Sequence, residues 1–368
     1  MPDLNPPSRL LLGPGPSNVS YRVLKAMSNP PLGHLDPAFI EIMDETCRLL
    51  RFVFQTRNEL TFPVSGTGSA GLEAVLVNLL EPGDTAIICV NGFFGERLVE
   101  VAGRCGAQVV RVDEQWGKPM PVDKALAALE QHPQAKLLAM VHAETSTGVE
   151  NPVQELGARL KDRPTLFVVD AVTSLGAVEL KVDQWGIDAA YSCSQKGLAV
   201  PPGMAPVTFG AKAVYAIKKR KTKVSCWYLD AGLLSEYWGG QARKYHHTCS
   251  STMVYGLCEG LRIIEEEGLE ARFQRHRRVA AFLHQELAAL GFRFFAQEGC
   301  RLPTLTTVFP PDQKRTEQMR IRLLKEHDIE VGGGLGPVAG KIWRIGTMGE
   351  NARERNVAVL IDAIKRVM

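Results

Sequence analysis

The feature that most constrains this chain is a series of short, continuous apolar runs separated by helix-length segments. The runs lie at 60–64, 86–90, 109–112, 137–141, 166–170, 189–192 and 207–209. A strand with one wet face alternates apolar and polar residues. A run that is apolar throughout is buried on both faces, as in a parallel sheet covered by its crossover helices. The expectation is an α/β fold: a large domain with a mostly parallel seven-stranded sheet flanked by helices. Ligands of such sheets gather beyond the carboxyl ends of the strands, so chemistry-bearing residues should be sought there.

The segments between and around the runs support this. Residues 37–54 place Phe39, Ile40, Met43, Leu50, Val53 and Phe54 at helical spacing. Leu72, Val75, Leu76, Leu79 and Leu80 repeat at i, i+3, i+4, i+7 and i+8, one helical face, which Pro82-Gly-Asp84 ends. After about residue 260 the pattern changes. A long charged helix is expected near 268–290 and strands near 292–296 and 305–309. A helix near 315–327, a glycine cluster at 332–336, a strand at 341–345 and a last helix at 351–367 follow. The division expected is an N-terminal arm at 1–20, a large domain at 21–265 and a small C-terminal α+β domain at 266–368.

Charge and composition exclude several classes. With 43 basic and 40 acidic residues the net charge is +3, without the basic surplus that nucleic-acid binding needs. The run Lys218-Lys-Arg-Lys221 reads as a solvated helix end. No apolar stretch reaches the roughly 18 residues of a membrane span. The first residues lack a basic start followed by an apolar run, and the last residues are not a peroxisomal address, so a cytoplasmic protein is expected. Eight cysteines are scattered with no CxxC pair. They read as free thiols, with neither disulfides nor a metal site expected.

Four features carry chemistry. Ser65-Gly-Thr-Gly-Ser-Ala70 lies between a strand and a helix, where glycine admits a phosphate to unpaired N–H groups at a helix N-terminus. Alone it reads as a plain turn. Asp170 closes an apolar run, fit to pair with a cationic ring nitrogen or, equally, to cap a helix. Lys196 follows another apolar run, in Ser194-Gln-Lys-Gly197, with Pro201-Pro-Gly203 behind it. A lone lysine is ordinarily a solvated surface residue. Here it comes 26 residues after Asp170, at the same expected sheet edge. Arg344, placed at the end of the 341–345 strand, is of the type that grips a carboxylate through two parallel hydrogen bonds, though a surface ion pair is its default reading. A glycine loop, an aspartate and a lysine, in that order, meet the needs of a pyridoxal phosphate enzyme: a phosphate cup, a partner for the pyridinium nitrogen and an imine-forming amine.

Over nearly its full length the chain resembles the class V, fold-type I aminotransferases, and among them the alanine–glyoxylate/serine–pyruvate branch. The resemblance rests on Leu11-Leu-Gly-Pro-Gly-Pro-Ser17, Gln55-Thr-Arg-Asn58, Leu72-Glu-Ala74 with Glu81-Pro-Gly-Asp84, Ser146-Thr-Gly-Val149, and Ser194-Gln-Lys196 with Pro201-Pro-Gly203. Lys221-Thr-Lys223, Tyr245-His-His-Thr248, and Gly333-Gly-Leu-Gly-Pro337 with Arg344-Ile-Gly346 complete it. It implies pyridoxal 5′-phosphate as cofactor, held as an imine by Lys196, with Gln195 and the cup of Thr67, Gly68 and Ser69 at its phosphate. It implies Asp170 at the pyridine nitrogen, Val172 and Phe94 on the two ring faces, and Thr145 at the ring hydroxyl. Arg344 would hold the substrate carboxylate near Gly15. Tyr245 and Thr248 would reach the phosphate of a neighbouring subunit, so a homodimer with shared sites is implied. Small amino acids and keto acids would be the substrates, exchanged by ping-pong transamination.

Two positions depart from the animal members, which carry Trp and His where this chain has Phe94 and Ser69. Phenylalanine still stacks on a ring and serine still donates to phosphate, so the departures bear on substrate preference more than on cofactor binding. A kynurenine- or aminophosphonate-type transaminase is the nearest alternative. A cysteine desulfurase would need a reactive loop thiol, and Cys300 in Gln297-Glu-Gly-Cys-Arg301 reads as inert. A non-catalytic binding protein would not need Lys196, Asp170 and Arg344 together.

Overall fold

The computed structural model describes residues 4–240 and 242–368; residues 1–3 of the expected arm lie outside them. Its centre is a seven-stranded sheet in the order Leu60–Ser65, Met204–Phe209, Ala189–Tyr191, Leu166–Asp170, Leu137–Val141, Thr85–Val90, Gln108–Asp113. Only Met204–Phe209 runs against its neighbours; the four pairings from Ala189–Tyr191 to Gln108–Asp113 are parallel. The inner strands are buried along their whole length, while Gln108–Asp113, at the edge, is mostly not. This is the burial that continuous apolar runs require.

The seven strands expected are the seven found, with two reproduced to the residue, Leu137–Val141 and Leu166–Asp170. The helix expected from the leucine periodicity begins earlier, at Gly68, and runs to Leu79. Pro37–Phe54 is a helix as read: Asp36 caps it by accepting from Ala38 N at 2.8 Å, Pro37 opens it, and Gln55 closes it in the left-handed region. Tyr21–Met27, Ala231–Trp238 and Ser251–Glu267 are helices beyond those expected. Gly268 separates the last of these from the long helix Leu269–Ala289.

The C-terminal third carries a four-stranded antiparallel sheet in the order Arg293–Phe294, Leu305–Phe309, Trp343–Gly346, Gly332–Gly333. Trp343–Gly346 starts two residues later than expected, which puts Arg344 second in the strand rather than at its end. The last helix is Glu354–Val367. A second hydrophobic core, apart from that of the large sheet, joins Val279, Leu283, Phe292, Trp343, Ile345 and Ile364 to Leu12 of the N-terminal segment. That segment pairs Leu10–Leu11 with Ile329–Glu330 in parallel, and Leu12 O accepts from Gly346 N at 2.8 Å. It then crosses to the large sheet. No helix among the described residues is long and apolar enough to cross a membrane.

Candidate active site

Five segments leave the large sheet at one edge. Because Leu60–Ser65, Thr85–Val90, Leu137–Val141, Leu166–Asp170 and Ala189–Tyr191 all point the same way, their following residues converge: Thr67 to Ser69, Phe94, Thr145, Asp170 and Lys196. Asp170 and Tyr191 are register partners on adjacent strands, which brings the Lys196 turn beside the carboxylate.

Asp170 is buried. Its Oδ2 accepts from Tyr191 Oη at 2.6 Å and its Oδ1 from Val172 N at 2.8 Å. Both donors are neutral. Burial therefore prevails and pushes the carboxyl pKa up to about 6, with the two hydrogen bonds and the charges of Arg97 and Lys196 opposing it. A carboxylate desolvated in this way is suited to a cationic partner.

Lys196 lies in a turn held from several sides. Ser17 N donates to Gln195 O at 3.0 Å, and Ser17 Oγ to Lys196 O at 3.1 Å. The ammonium donates to Pro14 O. Arg272, itself buried, donates to Gly197 O at 2.7 Å and to Gly176 O at 2.6 Å. Burial pushes the amine below the ordinary lysine range, against the attraction of Asp170. Gly15, at φ +113°, leaves no room for a Cβ, which would run into the Lys196 side chain.

Helix Gly68–Leu79 begins without a side-chain cap: the Thr67 hydroxyl accepts nothing from the first turn. Thr67 and Ser69 are exposed, and Gly68 is packed so that a Cβ would press on Cys193 at 3.1 Å and Val172 at 3.3 Å. Gln195 Oε1 is buried without a hydrogen-bond partner. An open helix N-terminus with nearby hydroxyls is an anion site in waiting.

Arg344 is buried, with Nε donating to Gly333 O at 2.7 Å. Burial pushes its pKa down to about 10, and Glu144 opposes that shift. Among the described residues no carboxylate forms an ion pair with it, so the default reading as a surface ion pair is set aside.

Two expected residues stand away from this convergence in the single chain. Tyr245 is 59% exposed, with its ring tilted at 52° to that of His34 and 4.9 Å between centroids, and Thr248 is exposed too. Cys300, the thiol weighed above, is buried, donates to Gln297 O at 3.2 Å and has its pKa raised by burial. Arg97, whose guanidinium lies 5.0 Å over the Phe94 ring, was not singled out from the sequence, nor were Glu144, Tyr191 and Arg272, and Ser146 stood only within a motif, without a role. For Glu144 a signal existed: like Asp170, it is an acid just past an apolar run at the same sheet edge.

Comparison with known proteins follows the same lines. The class-V aminotransferase family model matches residues 11–342. An alanine–glyoxylate aminotransferase from Nostoc sp. has a solved structure that superposes with a TM-score of 0.97 at 49% identity, covering 100% of this chain and 97% of that one. The (S)-ureidoglycine–glyoxylate transaminase of Bacillus subtilis is 40% identical over 100% of this chain and 92% of its own. The alanine–glyoxylate aminotransferase of Callithrix jacchus is 42% identical over 99% and 89%.

Proposed function

The chain belongs to the class-V aminotransferase family, and from that premise we propose that it moves the amino group of alanine or serine to glyoxylate or pyruvate with pyridoxal 5′-phosphate as cofactor. The observation that carries the reading is Asp170 beside the Lys196 turn, at the carboxyl ends of two adjacent parallel strands. Glyoxylate is named in all three relatives above, while the named amino donor is alanine in two and (S)-ureidoglycine in the third.

The residues present fit the cofactor. The uncapped start of Gly68–Leu79, with Thr67, Ser69 and Gln195, would take the phosphate. Asp170, buried among neutral donors, would pair with the protonated ring nitrogen. Val172 and Phe94 would bracket the ring, Thr145 would meet its hydroxyl, and Lys196 would hold it covalently. When bound, the cofactor supplies the carbonyl that takes up the amino group and a cationic ring that draws electrons from the substrate Cα.

The chain's own residues do the rest. Arg344, fixed through Nε, keeps its two terminal nitrogens for the substrate carboxylate. That anchor turns the Cα–H bond toward Lys196. Lys196 Nζ, released when the substrate's amine takes its place, would take the Cα proton and return it as general base and acid, helped by the burial that lowers its pKa. Donor and acceptor would use the same anchor in turn, and because the amino group stays with the enzyme after the first keto acid leaves, the kinetics would be ping-pong. Exposed Tyr245 and Thr248 would complete the phosphate site of a second copy, in a homodimer with shared sites.

Purified protein should show a visible absorbance band that borohydride abolishes, and a panel of amino donors should turn over with glyoxylate and pyruvate. A colourless protein that binds no pyridoxal phosphate would overturn the reading. Transamination at an undiminished rate in Lys196→Ala would remove Lys196 from its role.

A further inference from the structure

The helix Phe93–Arg104 carries Phe94 and Arg97 at the site, yet its own N-cap, Gly92, has no side chain to satisfy the first turn. The unpaired N–H groups are met from fifty residues away. Phe93 N donates to Ser146 Oγ at 2.8 Å. Phe94 N and Gly95 N both donate to Glu144 Oε2, at 3.1 and 3.2 Å. Glu144 Oε1 is in turn held by Ser146 N at 3.0 Å and Ser146 Oγ at 2.5 Å. Each oxygen of this fully buried carboxylate thus accepts from two donors, and it lies at the positive end of a helix, where an anion is favoured. The fit is tight: a Cβ on Gly92 would overlap the Glu144 side chain.

The residue between the two caps is Thr145. One three-residue turn thus holds the helix that bears Phe94 and also carries the hydroxyl proposed for the ring edge. On the far side, Val172 is fixed by its N–H bond to Asp170. If Phe94 and Val172 bracket the cofactor ring as proposed above, the width of the slot between them depends on where the Glu144 carboxylate holds the start of helix Phe93–Arg104.

We propose that Glu144, seconded by Ser146, is a positioning residue that sets the Phe94 wall of the cofactor slot through the backbone of Phe94 and Gly95. This rests on the cofactor reading given above. Glutamine at 144 keeps the shape but presents an N–H₂ group to at least one donor it cannot accept, so the first turn loosens without leaving a cavity.

The test compares wild type, Glu144→Gln, Ser146→Ala, Phe94→Ala and the Glu144→Gln/Phe94→Ala double variant. Each is stripped of cofactor and titrated with pyridoxal phosphate. The readouts are the dissociation constant, the visible circular dichroism of the bound cofactor and the melting temperature. Glu144→Gln should weaken binding about fivefold, the usual order for a lost cap, and reduce the dichroic band; Ser146→Ala should do the same more weakly. In the Phe94→Ala background the effect of Glu144→Gln on binding should shrink to within about twofold, because coupled residues are not additive. A lower melting temperature with unchanged binding and dichroism would make Glu144 a purely structural cap and overturn the proposal. So would an equal loss with and without Phe94. If Glu144→Gln does not fold, Ser146→Ala carries the same comparison against Phe94→Ala. A wild type that binds no pyridoxal phosphate would fail at the first arm and bring down the cofactor reading itself.

Discussion

Tyr191 gives its phenolic hydrogen to Asp170 Oδ2 at 2.6 Å, across two adjacent parallel strands in which the two residues are register partners. The tyrosine is itself buried, and burial and the neighbouring carboxylate raise its own pKa well above the ordinary tyrosine value. It therefore stays protonated and acts only as a donor. Tyr191→Phe removes the hydrogen bond that most opposes the burial of Asp170. The carboxyl pKa should rise above about 6, and the acid limb of cofactor binding should move to higher pH. A pH titration of pyridoxal phosphate affinity checks this; an unmoved limb would mean that Tyr191 does not tune Asp170.

The same burial predicts how the cofactor-free protein responds to pH. Glu144 and Asp170 have folded-state pKa values of about 7 and about 6, both above their unfolded values. Between roughly pH 4 and 7 the folded state holds more protons than the unfolded one, so these groups remove stability as pH rises. For Glu144 the upper bound is roughly 3 kcal/mol. Urea unfolding of Glu144→Gln should therefore gain stability relative to wild type as pH increases across that window. A constant difference from pH 4 to 7 would show that Glu144 titrates normally.

His276 pulls the other way. Arg272 O faces its Nδ1 at 2.8 Å, and its Nε2 accepts from Gly349 N at 3.0 Å, which fixes the neutral tautomer. Burial, with Arg272 and Arg275 adding to it, pushes its pKa down to about 3. Its contribution is complete above the unfolded value near 6.5 and is lost as pH falls from there toward 3. His276→Gln should flatten that acid branch of the stability profile. Parallel profiles for the two proteins would rule the histidine out.

Gly15 is held by contact as well as by conformation. Its φ is +113°, and a Cβ would overlap the Lys196 side chain. Gly15→Ala should leave far-ultraviolet dichroism unchanged, since only the N-terminal segment is strained. It should cut kcat about 100-fold, the order expected when a reacting group is displaced by about an ångström. Near-normal turnover would mean that Lys196 has free room to move.

Arg344 is expected to act on substrate and not on cofactor. With Nε spent on Gly333 O, only the two terminal nitrogens remain for a carboxylate. Arg344→Gln should lower kcat/KM for amino and keto acids by roughly 100-fold, consistent with the loss of two charge-assisted hydrogen bonds. Arg344→Lys should not restore it, because an ammonium cannot reproduce the planar fork. Pyridoxal phosphate affinity should stay within about twofold. A large loss of cofactor affinity would place Arg344 elsewhere.

Much of the frame was legible in the residues. Leu137–Val141 is apolar at every position and Leu166–Asp170 at every position but the last, and burial on both faces of a parallel sheet is what such runs need. The helix from Gly68 was read late because its first turn is small and polar and carries no apolar period. Ser251–Glu267 was legible but passed over: Val254, Leu257, Cys258, Leu261 and Ile264 stand at helical spacing on its buried face.

By itself the sequence determined the strand content, the parallel edge and the identity of the chemical groups, because burial pattern and residue type are local properties. Lys196 and Asp170 stood out on that basis. The tertiary structure alone decided which groups satisfy one another. That Glu144 and Ser146 cap a helix begun at Phe93, that Arg272 steadies the Gly197 turn from helix Leu269–Ala289, and that Pro14 meets the Lys196 amine are pairings over 49 to 182 positions. Spacing along the chain does not encode them. They arise because buried donors and acceptors must find partners wherever the packed fold brings them together.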